Sequence, residues 1–191
     1  MDQKLGRIEI AVGPMFSGKS EWLVSKLRVH QVAKDKILAI RHALDNRYHK
    51  EDITSHNDSS FQAQAVKDVA EIKKIIQDLG EIEVLGIDEM QFFETNLADL
   101  LLELQKKGVI IYGAGLDLDF AGEPWETTAK IMSFADKVEK LVAVCSVCHL
   151  VNATRTQRLT NNSTTADKIL VGGKESYTAR CVLHHEVIRN K

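Results

Sequence analysis

No apolar run in this chain of 191 residues approaches the ~20 residues that span a bilayer. The stretch Met1-Asp2-Gln3-Lys4-Leu5-Gly6-Arg7 lacks the apolar core of a secretory signal. A cytosolic protein with no membrane partner is expected. Positive charge is not in excess either: 25 lysines and arginines stand against 27 aspartates and glutamates, a net charge of −2. Nucleic-acid and acidic-membrane partners call for a basic patch, so neither is expected, whereas free nucleotides remain compatible. Cysteine is scarce, with three in all. An odd number in a reducing compartment argues for metal ligands or thiols rather than a disulfide framework. With 44% hydrophobic and 27% charged residues the chain is long enough for one full core and a small appendage. There is no internal repeat.

What the chain does contain is Gly13-Pro14-Met15-Phe16-Ser17-Gly18-Lys19-Ser20, which reads G-x-x-x-x-G-K-S directly after the apolar stretch Ile8 to Val12. This is a phosphate-binding loop in its proper setting, between a strand and a helix. Such a loop wraps a polyphosphate with its backbone N–H groups, and Gly13 and Gly18 supply the permissive backbone. Lys19 places a charge on the β- and γ-phosphates and Ser20 offers a hydroxyl to Mg²⁺, while the helix directs its positive end at the anion. The ligand implied is a nucleoside triphosphate.

Further strand-like segments run over residues 36–40, 82–87, 109–114 and 138–144. They are near-continuously apolar, as in a sheet covered on both faces. Between them, Val69, Ile72, Ile75, Ile76 and Leu79, and then Leu97, Leu100, Leu101 and Leu104, recur with helical spacing. The alternation predicts an α/β fold, a parallel sheet covered by helices with ligands beyond the strands' carboxyl ends. It spans residues 1–144, and a smaller module occupies residues 145–191. The polar insertion over about residues 43–60 reads as a mobile loop.

The segment Ile82 to Glu89 is a buried strand ending in two acids. Asp88 is the candidate for the metal side of the phosphates, and Glu89 the candidate general base toward an attacking hydroxyl or water. Next come Phe92 and Phe93, which along extended chain face opposite ways, one to the core and one to an acceptor site.

Cys145-Ser146-Val147-Cys148 is C-x-x-C, and Cys181-Val182-Leu183-His184 is C-x-x-H. Two such knuckles make a tetrahedral zinc site. With four protein ligands it is structural, stapling a module too small and polar to hold itself by apolar burial. His185 competes with His184 as fourth ligand. Cys145 to His149 also matches a c-type haem pattern, but haem attachment needs an export signal. A redox-active pair would give the second knuckle no role.

Taken together, GPMFSGKS, the strand ending DEMQFF, Gly115 to Trp125 and the paired knuckles resemble the cytosolic thymidine kinases of the zinc-containing type II family. Asp45-Asn46-Arg47-Tyr48 with Ser55-His56, and Val171 to Tyr177 before Cys181, are also similar to that family. The resemblance implies transfer of the γ-phosphoryl of ATP to the 5′-hydroxyl of thymidine or deoxyuridine in a homotetramer inhibited by thymidine triphosphate. It carries ATP binding to Gly13, Pro14, Met15, Phe16, Ser17, Gly18, Lys19, Ser20, Asp45, Asn46, Arg47, Asp88 and Gln91. Glu89 becomes the base, and Met15, Phe92, Leu116 and Phe120 surround the nucleoside base. Lys168, Ile169, Leu170, Val171 and Gly172 match a lasso over the nucleoside, with Tyr177 close by. Main-chain groups of a lasso read the thymine edge, and its closure excludes water, so that the sugar hydroxyl rather than water receives the phosphoryl group.

The chain departs from that pattern at Met90, where the family often has a small residue and where the side chain narrows the space beside Glu89. It departs again at Trp125, where Phe is common, and at His184, where Cys often completes the zinc site. His42, His49 and His56 recur every seven residues, yet they fall mostly in a polar insertion and are expected to be solvated. Arg47, Arg155 and Arg158 are open alternatives for charge stabilisation. The competing function is a zinc-ribbon nucleic-acid-binding ATPase, against which the weak basicity counts. No guanine-reading N-K-x-D segment is present, and eight arginines suit an uncharged acceptor better than a second phosphorylated one.

Overall fold

The computed structural model describes residues 5–44, 52–54, 60–159 and 175–187. Strand β1 (Arg7–Val12) runs into the phosphate loop, followed by α1 (Lys19–Ala33) and β2 (Ile37–His42). A short hairpin, β3 (Asp52–Thr54) and β4 (Ser60–Gln62), precedes β5 (Gln64–Val66), α2 (Val69–Leu79) and β6 (Val84–Asp88). A 3-10 turn over Met90–Phe92 leads to α3 (Leu97–Lys106), β7 (Ile110–Gly115), α4 (Glu126–Met132) and β8 (Lys137–Lys140). The last strands are β9 (Ala143–Val144), β10 (Val151–Ala153), β11 (Arg155–Arg158) and β12 (Tyr177–Arg180).

Six strands form one sheet in the order β5-β2-β6-β7-β1-β8, and every neighbouring pair is parallel. The expected α/β architecture is therefore present. Alternate residues of each strand serve opposite faces. Leu38 and Ile40 of β2 and Ile111 of β7 join one apolar cluster with Ile72 of α2, Leu97, Leu101 and Leu104 of α3 and Ile131 of α4. Ala39, Ile110, Tyr112 and Ala114 join the other, with Leu23, Val24 and Leu27 of α1 and Ile53 of the hairpin. Because all six strands run the same way, the ends of β1, β6 and β7 open on one edge, where the acids and the phosphate loop meet.

The helix boundaries follow local chemistry. Asp68 caps α2 by accepting from the Glu71 amide at 2.8 Å, and the Glu71 carboxylate accepts in return from the Lys67 amide at 2.8 Å. This reciprocal pair closes the N-terminus, and Gly80 at φ 78° ends the helix. Among the described residues no helix is long and apolar enough to cross a membrane.

Three segments differ from the sequence reading. The strand expected over 138–144 is two elements, because after β8 the chain leaves the large sheet and β9 pairs antiparallel with β10. Within the polar insertion, residues 52–54 pair with 60–62, while its remaining expected loop residues below 60 lie outside the described residues apart from 43 and 44. Strand β5 extends the sheet edge beside β2, with Ala65 opposite Arg41, a segment too short to read as a strand in the sequence.

The C-terminal part is small. Beyond β9 and β10 it holds the antiparallel pair β11 and β12, and its buried apolar cluster is Ala143, Cys145, Ala153, Ala179 and Cys181. Phe16 of the phosphate loop packs against that cluster.

Candidate active site and metal centre

The phosphate loop owes its shape to close backbone approaches. Gly13 has φ 149°, and a Cβ there would lie 2.4 Å from the Leu141 carbonyl oxygen, while the Leu141 amide donates to Val12 O at 2.7 Å. Gly18, at φ 85°, starts α1 without a side-chain cap, so the helix directs the positive end of its dipole at the loop. The Lys19 ammonium donates to Pro14 O at 2.6 Å and the Ser17 hydroxyl to the same oxygen at 2.8 Å. The Met15 amide donates to the Thr156 hydroxyl at 3.1 Å. Ser20 lies in the first turn of α1.

At the end of β6, Asp88 is buried and its Oδ1 accepts from the Glu89 amide at 2.9 Å. Glu89 has φ 53°, a left-handed backbone that a non-glycine residue adopts only when its surroundings impose it, and one that gathers at functional sites. Gln91, 3% exposed, imposes much of the side chain's orientation. Its Nε2 donates to Glu89 Oε2 at 2.5 Å, and its Oε1 accepts from the Leu116 amide at 2.9 Å. Gln91 thus links the candidate base to the loop after β7. Gly115 makes room for it, since a Cβ there would sit 2.7 Å from Met90 Cγ and 2.8 Å from Gln91 Oε1.

Met90 itself is 1% exposed and belongs to the core. Its side chain lies against Gly113 and Gly115, on a segment that is a 3-10 turn and not extended chain. The same turn buries Phe93 and leaves Phe92 half-buried. Phe92 meets Trp125 edge-on at 5.9 Å between ring centroids. His42, expected to be solvated, is buried at 6% exposure and packs 4.6 Å from the Phe93 ring and 5.9 Å from Phe92. It is the last residue of β2 and so belongs to the sheet rather than to the insertion. Burial pushes its imidazole below the ordinary value, against the opposing influence of the Lys67 backbone, Asp68 and Glu89.

Leu116 and Phe120, both half-buried, sit on a loop that is self-supporting. Asp119 Oδ1 accepts from the amides of Ala121 and Glu123, each at 2.9 Å, and Lys140 Nζ lies 3.0 Å from the buried Asp117 carboxylate. The Arg158 guanidinium stacks 4.0 Å from the Phe120 ring centroid and donates to the Tyr177 hydroxyl at 3.3 Å. Arg158 is thereby engaged with the aromatic side chains, and Arg155 donates to Thr154. Asp45, Asn46 and Arg47, and Lys168, Ile169, Leu170, Val171 and Gly172, lie outside the described residues, as do His49 and His56.

Thr156 and His42 carried no signal in the sequence: one lies in a Thr- and Asn-rich stretch, the other at the border of a polar insertion. The register that sets Arg41 of β2 beside Asp88 of β6 was equally illegible.

The knuckles converge. The ligand atoms of Cys145, Cys148, Cys181 and His184 lie within 4.8 Å of one another, with Cys181 Sγ 3.1 Å and Cys145 Sγ 3.7 Å from His184 Nδ1. Burial works to raise the Cys145 thiol, but the backbone groups of Cys148, Cys181 and Val147 outweigh it and bring the thiol down to about 5. Cys148 moves the other way, because burial and the sulfurs of Cys145 and Cys181 outweigh the Leu150 backbone. A thiolate donor, crowded sulfurs and an imidazole nitrogen fit Zn²⁺, whose charge would relieve the crowding. The fourth position belongs to His184, since His185 Nε2 is 2.9 Å from Phe120 O.

A family model for thymidine kinase matches residues 6–185. The chain belongs to the thymidine kinase family. Membership makes it a kinase with thymidine kinase activity, and the Cys₃His cluster is consistent with the zinc-containing type II subtype of the family.

Proposed function

We propose that the protein transfers the γ-phosphoryl group of ATP to the 5′-hydroxyl of thymidine, or of deoxyuridine, to give the nucleoside monophosphate in pyrimidine deoxynucleoside salvage. The observation that carries this reading is the Gln91 clamp, which fixes the Glu89 carboxylate and ties it to the Leu116 amide. A base held in that way accepts the proton of the 5′-hydroxyl as its oxygen attacks the γ-phosphorus and the bond to ADP breaks. Gly13 to Ser20 bind the triphosphate, with Lys19 leaving Pro14 O for a phosphate oxygen. Asp88 and Ser20 supply the oxygen donors that suit Mg²⁺, which neutralises phosphate charge when bound.

On the acceptor side Met15, Phe92, Leu116, Phe120 and Tyr177 enclose the nucleoside, while Lys168 to Gly172 close over it and exclude water. Arg158, stacked on Phe120, stiffens that wall, and Arg47, Arg155 and Arg158 are the alternatives for stabilising the transferred group. Residues 1–144 act as the nucleotide-binding domain, and residues 145–191 as a zinc module with a structural ion. The enzyme works in the cytoplasm as a homotetramer and is restrained by thymidine triphosphate. A panel of the four deoxynucleosides with ATP and Mg²⁺ tests the reading: thymidine should give the monophosphate and ADP in equal amounts. Turnover of ATP stimulated by single-stranded DNA but not by thymidine would overturn it in favour of a nucleic-acid-dependent ATPase.

A further inference from the structure

The phosphate loop is attached to the Cys₃His unit at two consecutive residues. The Met15 amide donates to the hydroxyl of Thr156 at 3.1 Å, and Thr156, 3% exposed, lies on β11 opposite Ala179 of β12, two residues before Cys181. The next loop residue, Phe16, is a non-glycine at φ 66°. Its ring packs against Ala143, Cys145, Ala153, Ala179 and Cys181, with Cys148 beside them. Three of those six residues are candidate metal ligands. A third approach comes from Gly13, whose Cα faces the Leu141 carbonyl just ahead of β9.

The physical consequence concerns pre-organisation. A phosphate loop binds through amides already aimed at the anion. A left-handed non-glycine residue persists only where packing over-determines it. Here the packing partner is a cluster of alanines and cysteines that is too small to hold together by apolar burial alone. A metal bound by the four ligands would hold the knuckles and with them the cluster that seats Phe16. The Met15 amide, donating to Thr156, anchors the loop.

We propose that Phe16 and Thr156 are positioning residues through which the Cys₃His unit sets the shape of the phosphate loop, so that nucleotide affinity depends on metal occupancy. The proposal rests on the kinase reading insofar as it takes the loop as the nucleotide site. Apparent affinity falls in proportion to the fraction of loops in the competent shape.

The test is calorimetric titration of full-length, zinc-loaded protein with ADP and Mg²⁺, with zinc content and circular dichroism measured on each sample. Thr156→Val removes the acceptor and should weaken ADP binding about tenfold. Thr156→Ser should restore it, and Phe16→Ala should weaken it to a similar degree. Thr178→Ala, which loses only a bond to the Ser146 hydroxyl within the small module, should leave it unchanged. Removing zinc should weaken ADP binding to the wild type but add little in Phe16→Ala/Thr156→Val, where the attachment is already gone. Wild-type affinity in Thr156→Val with its zinc intact, a serine variant as weak as the valine, or unchanged affinity of the metal-free wild type would each overturn the proposal. No ADP binding by the zinc-loaded wild type would instead remove the nucleotide reading and the proposal with it.

Discussion

Replacing Gln91 by methionine keeps the volume of a side chain that is 3% exposed and deletes both of its hydrogen bonds. The first, from Nε2 to the Glu89 carboxylate at 2.5 Å, is charge-assisted, and such bonds contribute about 1.5–3 kcal/mol. If that orienting energy is used in the transition state, kcat falls about 10- to 150-fold. The second bond, from the Leu116 amide at 2.9 Å, leaves a donor without its acceptor, which costs about 1–3 kcal/mol of stability. Steady-state kinetics with thymidine and ATP, together with urea unfolding, separate the two effects. A double-mutant cycle with Glu89→Gln adds the mechanism: once the base is removed, losing Gln91 should cost little further turnover. A folded Gln91→Met protein with kcat within about twofold of wild type would refute the idea that the clamp aims the base.

Other perturbations address different parts of the account. Gly115→Ala forces a methyl group to within 2.7 Å of Met90 Cγ and 2.8 Å of Gln91 Oε1; overpacking of this kind costs about 1–3 kcal/mol, which thermal unfolding would register together with reduced kcat. His184→Ala should abolish stoichiometric zinc in metal analysis whereas His185→Ala should retain it, because only His184 faces the three sulfurs. His42 is pushed below its ordinary value of 6.5 by burial. A depressed folded-state pKa means that its contribution is fully present above the unfolded value and is lost as pH falls through the folded one. Urea midpoints should therefore drop between pH 7.5 and 5.5 by more in the wild type than in His42→Phe, and equal drops would contradict the burial argument.

The parallel sheet was legible because strands covered on both faces leave continuous apolar runs, and α2 and α3 because amphipathic helices repeat at helical spacing. The phosphate loop and the knuckles were legible because chemistry fixes their spacing. The 3-10 turn at Met90–Phe92 was not. It depends on Glu89 adopting a left-handed backbone, which nothing local in the sequence requires, and on glycines at 113 and 115 that admit Met90 beneath it. The exit of the chain from β8 into β9 was hidden for a similar reason: Val138 to Val144 is apolar apart from Glu139 and Lys140, but the Leu141 carbonyl stops against Gly13 and the pairing partner changes. The buried state of His42 depended on which two phenylalanines the turn would bring to it. The choice between His184 and His185 turned on the long-range contact of His185 with Phe120 O.

The most direct test of the central claim is ATP-dependent phosphorylation of thymidine by the zinc-loaded full-length chain, comparing wild type with Glu89→Gln. The account predicts thymidine monophosphate from the wild type. For the variant it predicts undiminished thymidine binding and kcat lower by about 10²- to 10⁴-fold, the usual contribution of a positioned base. Absence of product from the wild type, or equal kcat in the two proteins, would contradict it.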